Sequence, residues 1–230
     1  AYGLQSSWPQ LREMAANGAT IANHSASHQH LAVRLDNETE AAWRQRVTAD
    51  INRAQARIKT EIGSSPKLFA YPYGEYDRAL QAIVKALGYT AFGQQSGAWG
   101  LSSDPQAIPR FAFGGAHTDI KEFAVKIGSL PFTIIASKAT DNPLPHKQSR
   151  PELILEFAEG NYQALTCFGS GQGALPLEWL AKTSVLIKPA KDIPVGRSRI
   201  NCTLPAGNGR FYWYSHQWIR LNKNNQWILD

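Results

Sequence analysis

One short stretch holds the most chemistry in the chain: Asn23-His24-Ser25-Ala26-Ser27-His28. If a turn follows a strand here, His24 and His28 come to one side of the backbone, and imidazole nitrogen suits zinc and other borderline divalent ions. Alone, the spacing does not separate a metal pair from ordinary loop histidines. His30 lies close by and reads as a bystander. A second stretch, Phe69-Ala70-Tyr71-Pro72-Tyr73-Gly74, runs an apolar strand into Pro-Tyr-Gly. Gly74 permits a tight turn that aims the Tyr73 backbone N–H outward, as an oxyanion hole requires. In isolation, the same residues also read as a plain strand-to-helix turn.

The elements around these stretches give them a common place. Ser7 can cap a helix running to Asn17, with Gly18 as its stop. Ala19 to Asn23 reads as a short buried strand. Asp36 or Asn37 can cap a long helix ending near Gly63, because Trp43, Val47, Ile51, Ala54, Ile58 and Ile62 step by three or four onto one face. Lys67 to Pro72 reads as a strand, Asp77 as the cap of a helix to Gly88, and Tyr89 to Gly93 as another strand. Asp119 to Ile127 reads as a helix and Phe132 to Ser137 as a buried strand. Such alternation implies parallel strands with helices outside them, in an open sheet or a barrel. Both chemical stretches then fall at the C-terminal ends of parallel strands, where α/β architectures build their sites.

Taken together, the two stretches resemble the polysaccharide deacetylase family, also called the NodB homology family of carbohydrate esterases. Asn-His-Ser-Ala-Ser-His is similar to its His-[Ser/Thr]-x-x-His motif. Phe-Ala-Tyr-Pro-Tyr-Gly is similar to its Arg-x-Pro-Tyr-Gly motif, in the form of the branch acting on exopolysaccharides such as poly-β-1,6-N-acetylglucosamine. The resemblance implies a distorted (β/α) barrel and hydrolysis of N-acetyl groups from a polysaccharide. It implies a divalent metal, zinc the expected ion, held by His24, His28 and one Asp. It makes Tyr73 the backbone oxyanion donor, places Pro72 and Tyr73 against substrate, and implies a periplasmic, extracellular or cell-envelope location. Ala70 stands where the family motif has Arg; Arg110 is a candidate to supply that charge, and a plain surface Arg is the alternative. The family's late Leu-x-His motif is not recognisable, and His117 and His146 are the substitutes for its general acid. Trp99 is a candidate to line a sugar site. The family's first motif, Thr-Phe-Asp-Asp-Gly, is absent. With only about five candidate parallel strands against the seven or eight that such a barrel needs, the resemblance implies a piece of a longer product. Alone, it is expected to bind metal poorly unless another residue, such as Asp77 or Asp104, supplies the carboxylate.

Composition narrows the alternatives. Lys and Arg number 24 against 18 Asp and Glu, a net charge of +6. No basic run concentrates it, so no nucleic-acid partner is expected. No stretch reaches the roughly 18 apolar residues of a membrane span, and no signal-peptide pattern is visible. Beyond Ser137 the texture changes. The expected organisation is a deacetylase domain over 1–137, a Pro-containing linker over 138–151, and a small antiparallel β domain, a sandwich, over 152–230. Trp213, Trp218 and Trp227 make that domain a candidate carbohydrate-binding module, with core packing as the alternative. Cys167 and Cys202 are the only cysteines; a disulfide and two free thiols both stay open. The rival to an enzyme is a catalytically inactive deacetylase-like protein that holds polysaccharide. The sequence leaves the oligomeric state open.

Overall fold

The computed structural model describes residues 6–114 and 118–228. The chain divides into two compact units, one up to Phe92 and one from Gly93.

In the first unit, helix α1 spans Trp8–Ala16. Ser7 is its N-cap, its backbone N–H donating to the Gln10 side chain at 2.8 Å. Helix α2 spans Glu40–Ile62 and buries Trp43, Val47, Asp50, Ile51, Ala54 and Ile58. Its cap is Thr39, whose hydroxyl accepts from the Ala42 amide at 3.2 Å, not Asp36 or Asn37. Asn37 sits at φ 60°, a left-handed turn from which no helix can start. Gly63 ends α2 at φ 83°, where a side chain would be strained.

Strands β1 (Leu68–Ala70) and β2 (Thr90–Phe92) pair in parallel. Of the strand expected over Ala19 to Asn23, only Asn23 pairs, as a parallel bridge to Phe69. Ala19, Thr20 and Ala22 are exposed, so no ladder extends through them. Helix α3 (Arg78–Ala86) starts at Asp77, whose carboxylate accepts from the Leu80 amide at 2.7 Å. Trp43, Val47, Ile51, Phe69, Tyr71, Leu80, Val84 and Ala91 are fully buried, so α2 and α3 bury their apolar faces together with this short parallel pairing. Among the described residues the parallel pairing does not close into a barrel.

The second unit opens with helix α4 (Ile120–Ile127), capped by Asp119. Its strands are β3 (Ile134–Ala139), β4 (Leu153–Phe157), β5 (Thr166–Gly169), β6 (Gly173–Ala174), β7 (Leu177–Ala181), β8 (Ser184–Ile187), β9 (Gly196–Gly207) and β10 (Arg210–Arg220). They form two antiparallel sheets, ordered β10-β9-β5-β6 and β3-β4-β8-β7, which contribute to one shared core. Asn208 and Gly209, at φ 52° and 72°, make the tight turn between β9 and β10, a conformation that favours Asn-Gly.

Two elements differ from the sequence reading. The strand expected over Phe132 to Ser137 is β3, which pairs antiparallel with β4 and is mostly exposed; its apolar run does not join a parallel sheet. The stretch read as a linker carries Leu144, which is fully buried and exchanges backbone hydrogen bonds with Ile219 and Leu221. Cys167 and Cys202 form a disulfide between directly opposed residues of β5 and β9. No helix among the described residues is long and apolar enough to cross a membrane.

Candidate active site

The parallel bridge at Asn23 brings the two chemical stretches to one edge. Asn23 N–H donates to the Leu68 carbonyl at 3.0 Å, and the Ala70 amide donates to the Asn23 carbonyl at 2.9 Å. His24 therefore leaves its bridge beside the end of β1. Its Nδ1 lies 2.7 Å from the Ala70 carbonyl, so Nδ1–H donates there. A backbone carbonyl on the far nitrogen is a common way to fix a metal-binding imidazole.

The loop then doubles back. Ser25 sits at φ 65° and His28 at φ 52°. The Ser25 amide donates to Asn23 Oδ1 at 2.9 Å, and the His28 amide donates to Ser25 Oγ at 2.9 Å. The turn brings the His24 and His28 rings to 4.8 Å between centroids. His28 in turn lies 4.7 Å from the Tyr73 ring. Pro72, Tyr73 and Gly74 form a 3-10 turn after β1, with Tyr73 at φ 56° and ψ 2° and Pro72 buried.

Residues that sequence reasoning passed over hold this loop. Asp50 is 7% exposed and accepts from the Ala26 amide at 3.1 Å and the Ser27 amide at 3.3 Å. Arg53 meets its other oxygen. Asn23 is fully buried and donates to the Ile51 carbonyl at 2.9 Å and to Tyr89 Oη at 3.3 Å. Burial pushes the Tyr89 phenol above its ordinary pKa, and the Asn23 bond partly opposes this. The signal for Asp50 was present in the sequence: a carboxylate on the apolar stripe of α2, next to Ile51, is rarely buried without partners. His30, read as a bystander, pairs through Nδ1 with Glu75 Oε2 at 2.7 Å.

Two imidazoles side by side fit a borderline divalent ion in donor type, but a closed or catalytic zinc site takes at least three protein ligands. No group of three His, Cys, Asp or Glu among the described residues is placed to hold an ion. Asp77 does not serve as the missing carboxylate: it caps α3 and pairs with Arg34 at 2.6 Å. Asp104 accepts from the Gln106 amide in the second unit.

The remaining candidates also lie in the second unit. Arg110 Nε donates to the Gly93 carbonyl at 2.7 Å. Trp99 is 70% exposed. His146 contacts the Leu221 carbonyl at 3.3 Å through Nδ1, a packing role. His117 lies outside the described residues. Trp218 is fully buried, with Nε1 donating to the Thr140 carbonyl, which removes it from any sugar-stacking surface. Trp213 packs edge-on against Phe111.

Residues 3–92 match the polysaccharide deacetylase family model. The poly-beta-1,6-N-acetyl-D-glucosamine N-deacetylase of Escherichia coli is 30% identical over 90 residues, 39% of this chain and 13% of that protein. The chain thus spans a small part of the curated relatives it matches. The deacetylase domain of BpsB from Bordetella bronchiseptica is 25% identical, with TM-score 0.40, over 46% of this chain and 48% of that one. A de-N-acetylase from Aggregatibacter actinomycetemcomitans is 21% identical, with TM-score 0.42, over 54% and 57% of the two chains.

Proposed function

Taking as premise that residues 3–92 are polysaccharide deacetylase sequence of the poly-N-acetylglucosamine branch, we propose that this chain contributes to hydrolysis of N-acetyl groups on such a polymer. The observation that carries the reading is the meeting of His24, His28 and Tyr73 at one edge of the parallel pairing. In this reading the fold belongs to the family's (β/α) barrel, of which the first unit is a part.

His24 and His28 would hold a divalent ion, zinc by donor type, together with a carboxylate not found beside them among the described residues. When bound, such an ion supplies Lewis acidity toward an acetamide oxygen. The chain's own work is positional. The Ala70 carbonyl and Asp50 orient the two imidazoles, and the left-handed turn aims the Tyr73 N–H at the oxygen that gains charge as water adds to the carbonyl. Loss of the amine then leaves acetate and a free amino sugar. Pro72 and Tyr73 are the proposed contacts to the polymer within the first unit. The Cys167–Cys202 disulfide supports an exported, envelope or extracellular location.

A second reading is a deacetylase-like protein that holds polymer without turnover; it draws on there being no third His, Cys, Asp or Glu grouped with the two histidines among the described residues. Acetate release from an acetylated β-1,6-glucosamine oligomer, with zinc supplied, separates the two. Release that falls at least about 100-fold in His24→Ala and in His28→Ala supports the enzyme. Polymer binding by the parent chain with no acetate released supports the second reading. Release unchanged in both variants removes the assigned site.

A further inference from the structure

Tyr73 occupies the left-handed region (φ 56°, ψ 2°), which a side chain keeps only where its surroundings fix it. The fixing contacts are local. The His30 ring lies flat on the Tyr73 ring, with centroids 3.9 Å apart and an interplanar angle of 0°. His30 is held in turn: its Nδ1 meets Glu75 Oε2 at 2.7 Å, and the two side chains are 10% and 4% exposed. The Glu75 amide donates back to the Pro72 carbonyl at 3.1 Å, and the Gly74 amide to the Tyr71 carbonyl at 2.9 Å. These contacts close a circuit from the Tyr73 ring through His30 and Glu75 to the backbone of the same turn.

A phenyl ring would stack on Tyr73 equally well. What the imidazole adds is the link to Glu75. It adds this against a cost, because the His30 Nε2 is buried and has no hydrogen-bond partner among the described residues, a condition that buried polar atoms rarely meet. Stacking alone does not account for an imidazole at this position; the carboxylate link does.

We propose that His30 and Glu75 are a positioning pair for Tyr73, holding the turn that aims its backbone N–H; this rests on the deacetylase reading. The Tyr73 ring also touches His28, so the pair sets how the Pro-Tyr-Gly turn stands against the histidine loop. Neither residue need contact the substrate.

The test uses the full chain with Glu75→Ala, Glu75→Gln and His30→Phe. In Glu75→Ala, exchange of the Gly74 and Glu75 amides should quicken at least about tenfold. Its kcat on the acetylated oligomer should fall about 10–100-fold, with KM changed less than about threefold. Glu75→Gln keeps an acceptor for Nδ1–H and should recover to within about fivefold of the parent. His30→Phe keeps the stack, loses the link, and should behave as Glu75→Ala; it also stands in should the alanine variant fail to fold. Unchanged exchange at both amides in Glu75→Ala, a Glu75→Gln no better than Glu75→Ala, or a His30→Phe equal to the parent would each overturn the pair. A parent chain that releases no acetate counts against the deacetylase reading alone. Amide exchange needs no turnover and still decides the pair.

Discussion

At the scale of single residues, the histidine loop is held more by what it accepts from and donates to than by the histidines themselves. Ser25 and His28 both stand at positive φ, and the Asp50 carboxylate is the charged group that takes up two amides of the loop. Hydrogen bonds to a charged group contribute about 1.5–3 kcal/mol each. Removing the carboxylate leaves the Ala26 and Ser27 amides without this acceptor and loosens the spacing of the two rings. Asp50→Ala should therefore weaken zinc binding about 10–100-fold, the usual effect of losing an outer support of a metal ligand. Asp50→Asn keeps an oxygen acceptor and should recover most of it. Isothermal titration with zinc reads both, and an Asp50→Ala that binds as tightly as the parent would show that the loop is fixed by other means. His24, His28 and Tyr73 were singled out in the sequence by their resemblance to the family's motifs, because spacing alone does not separate a metal pair from ordinary loop histidines. Asp50, His30 and Glu75 were not, because their roles depend on which amide or ring a distant part of the chain presents to them.

At the scale of elements, α2 is the platform on which the loop is built. Its inner face meets Asn23 and Asp50's loop partners, and its first turns meet the chain just beyond. Trp43 is fully buried, and its Nε1 donates to the Leu31 carbonyl at 2.9 Å. The Arg34 guanidinium lies 3.6 Å from its ring centroid, and Arg46 joins the Val33 carbonyl to Glu38. The segment following His30 is thus pinned to α2. Trp43→Ala should cost about 3–5 kcal/mol of stability, read as a lower urea midpoint, and should weaken zinc binding as well. Trp43→Phe should cost less but still lose the Leu31 bond. If Trp43→Ala lowers stability while zinc affinity is untouched, α2 is only core and not platform. The body of this helix was legible because its apolar residues recur at helical spacing. Its start was misplaced by three residues' worth of competing caps, since Asp36, Asn37 and Thr39 are all good capping types and only the left-handed φ of Asn37 decides between them. The strand at Ala19 to Asn23 and the one at Phe132 to Ser137 were misread for a related reason: a short apolar run does not say which partner it will find.

At the scale of the whole chain, two units with separate chemistry share one sequence. The assigned metal pair and its supports lie before Gly93, and the sandwich core draws on residues from Phe132 to Trp218. That core includes the disulfide between neighbouring strands of one sheet, with Cys167 and Cys202 fully buried and 35 residues apart in sequence. The sequence left the pairing open because two cysteines alone do not reveal that their strands will be neighbours; the antiparallel register of β5 and β9 sets them opposite each other. Closing a loop of that length removes freedom from the unfolded chain worth about 4 kcal/mol in the chain-entropy account. Cys167→Ala with Cys202→Ala should therefore lower the melting temperature of the sandwich by roughly 10–20 °C. Zinc binding at His24 and His28, if it rests on the first unit's own contacts, should stay within about twofold of the parent. Calorimetry and zinc titration on the same double variant test both halves of this statement. A zinc affinity that collapses together with the sandwich would mean that the second unit supports the metal pair, and the assignment of the site to the first unit's own elements would have to be given up.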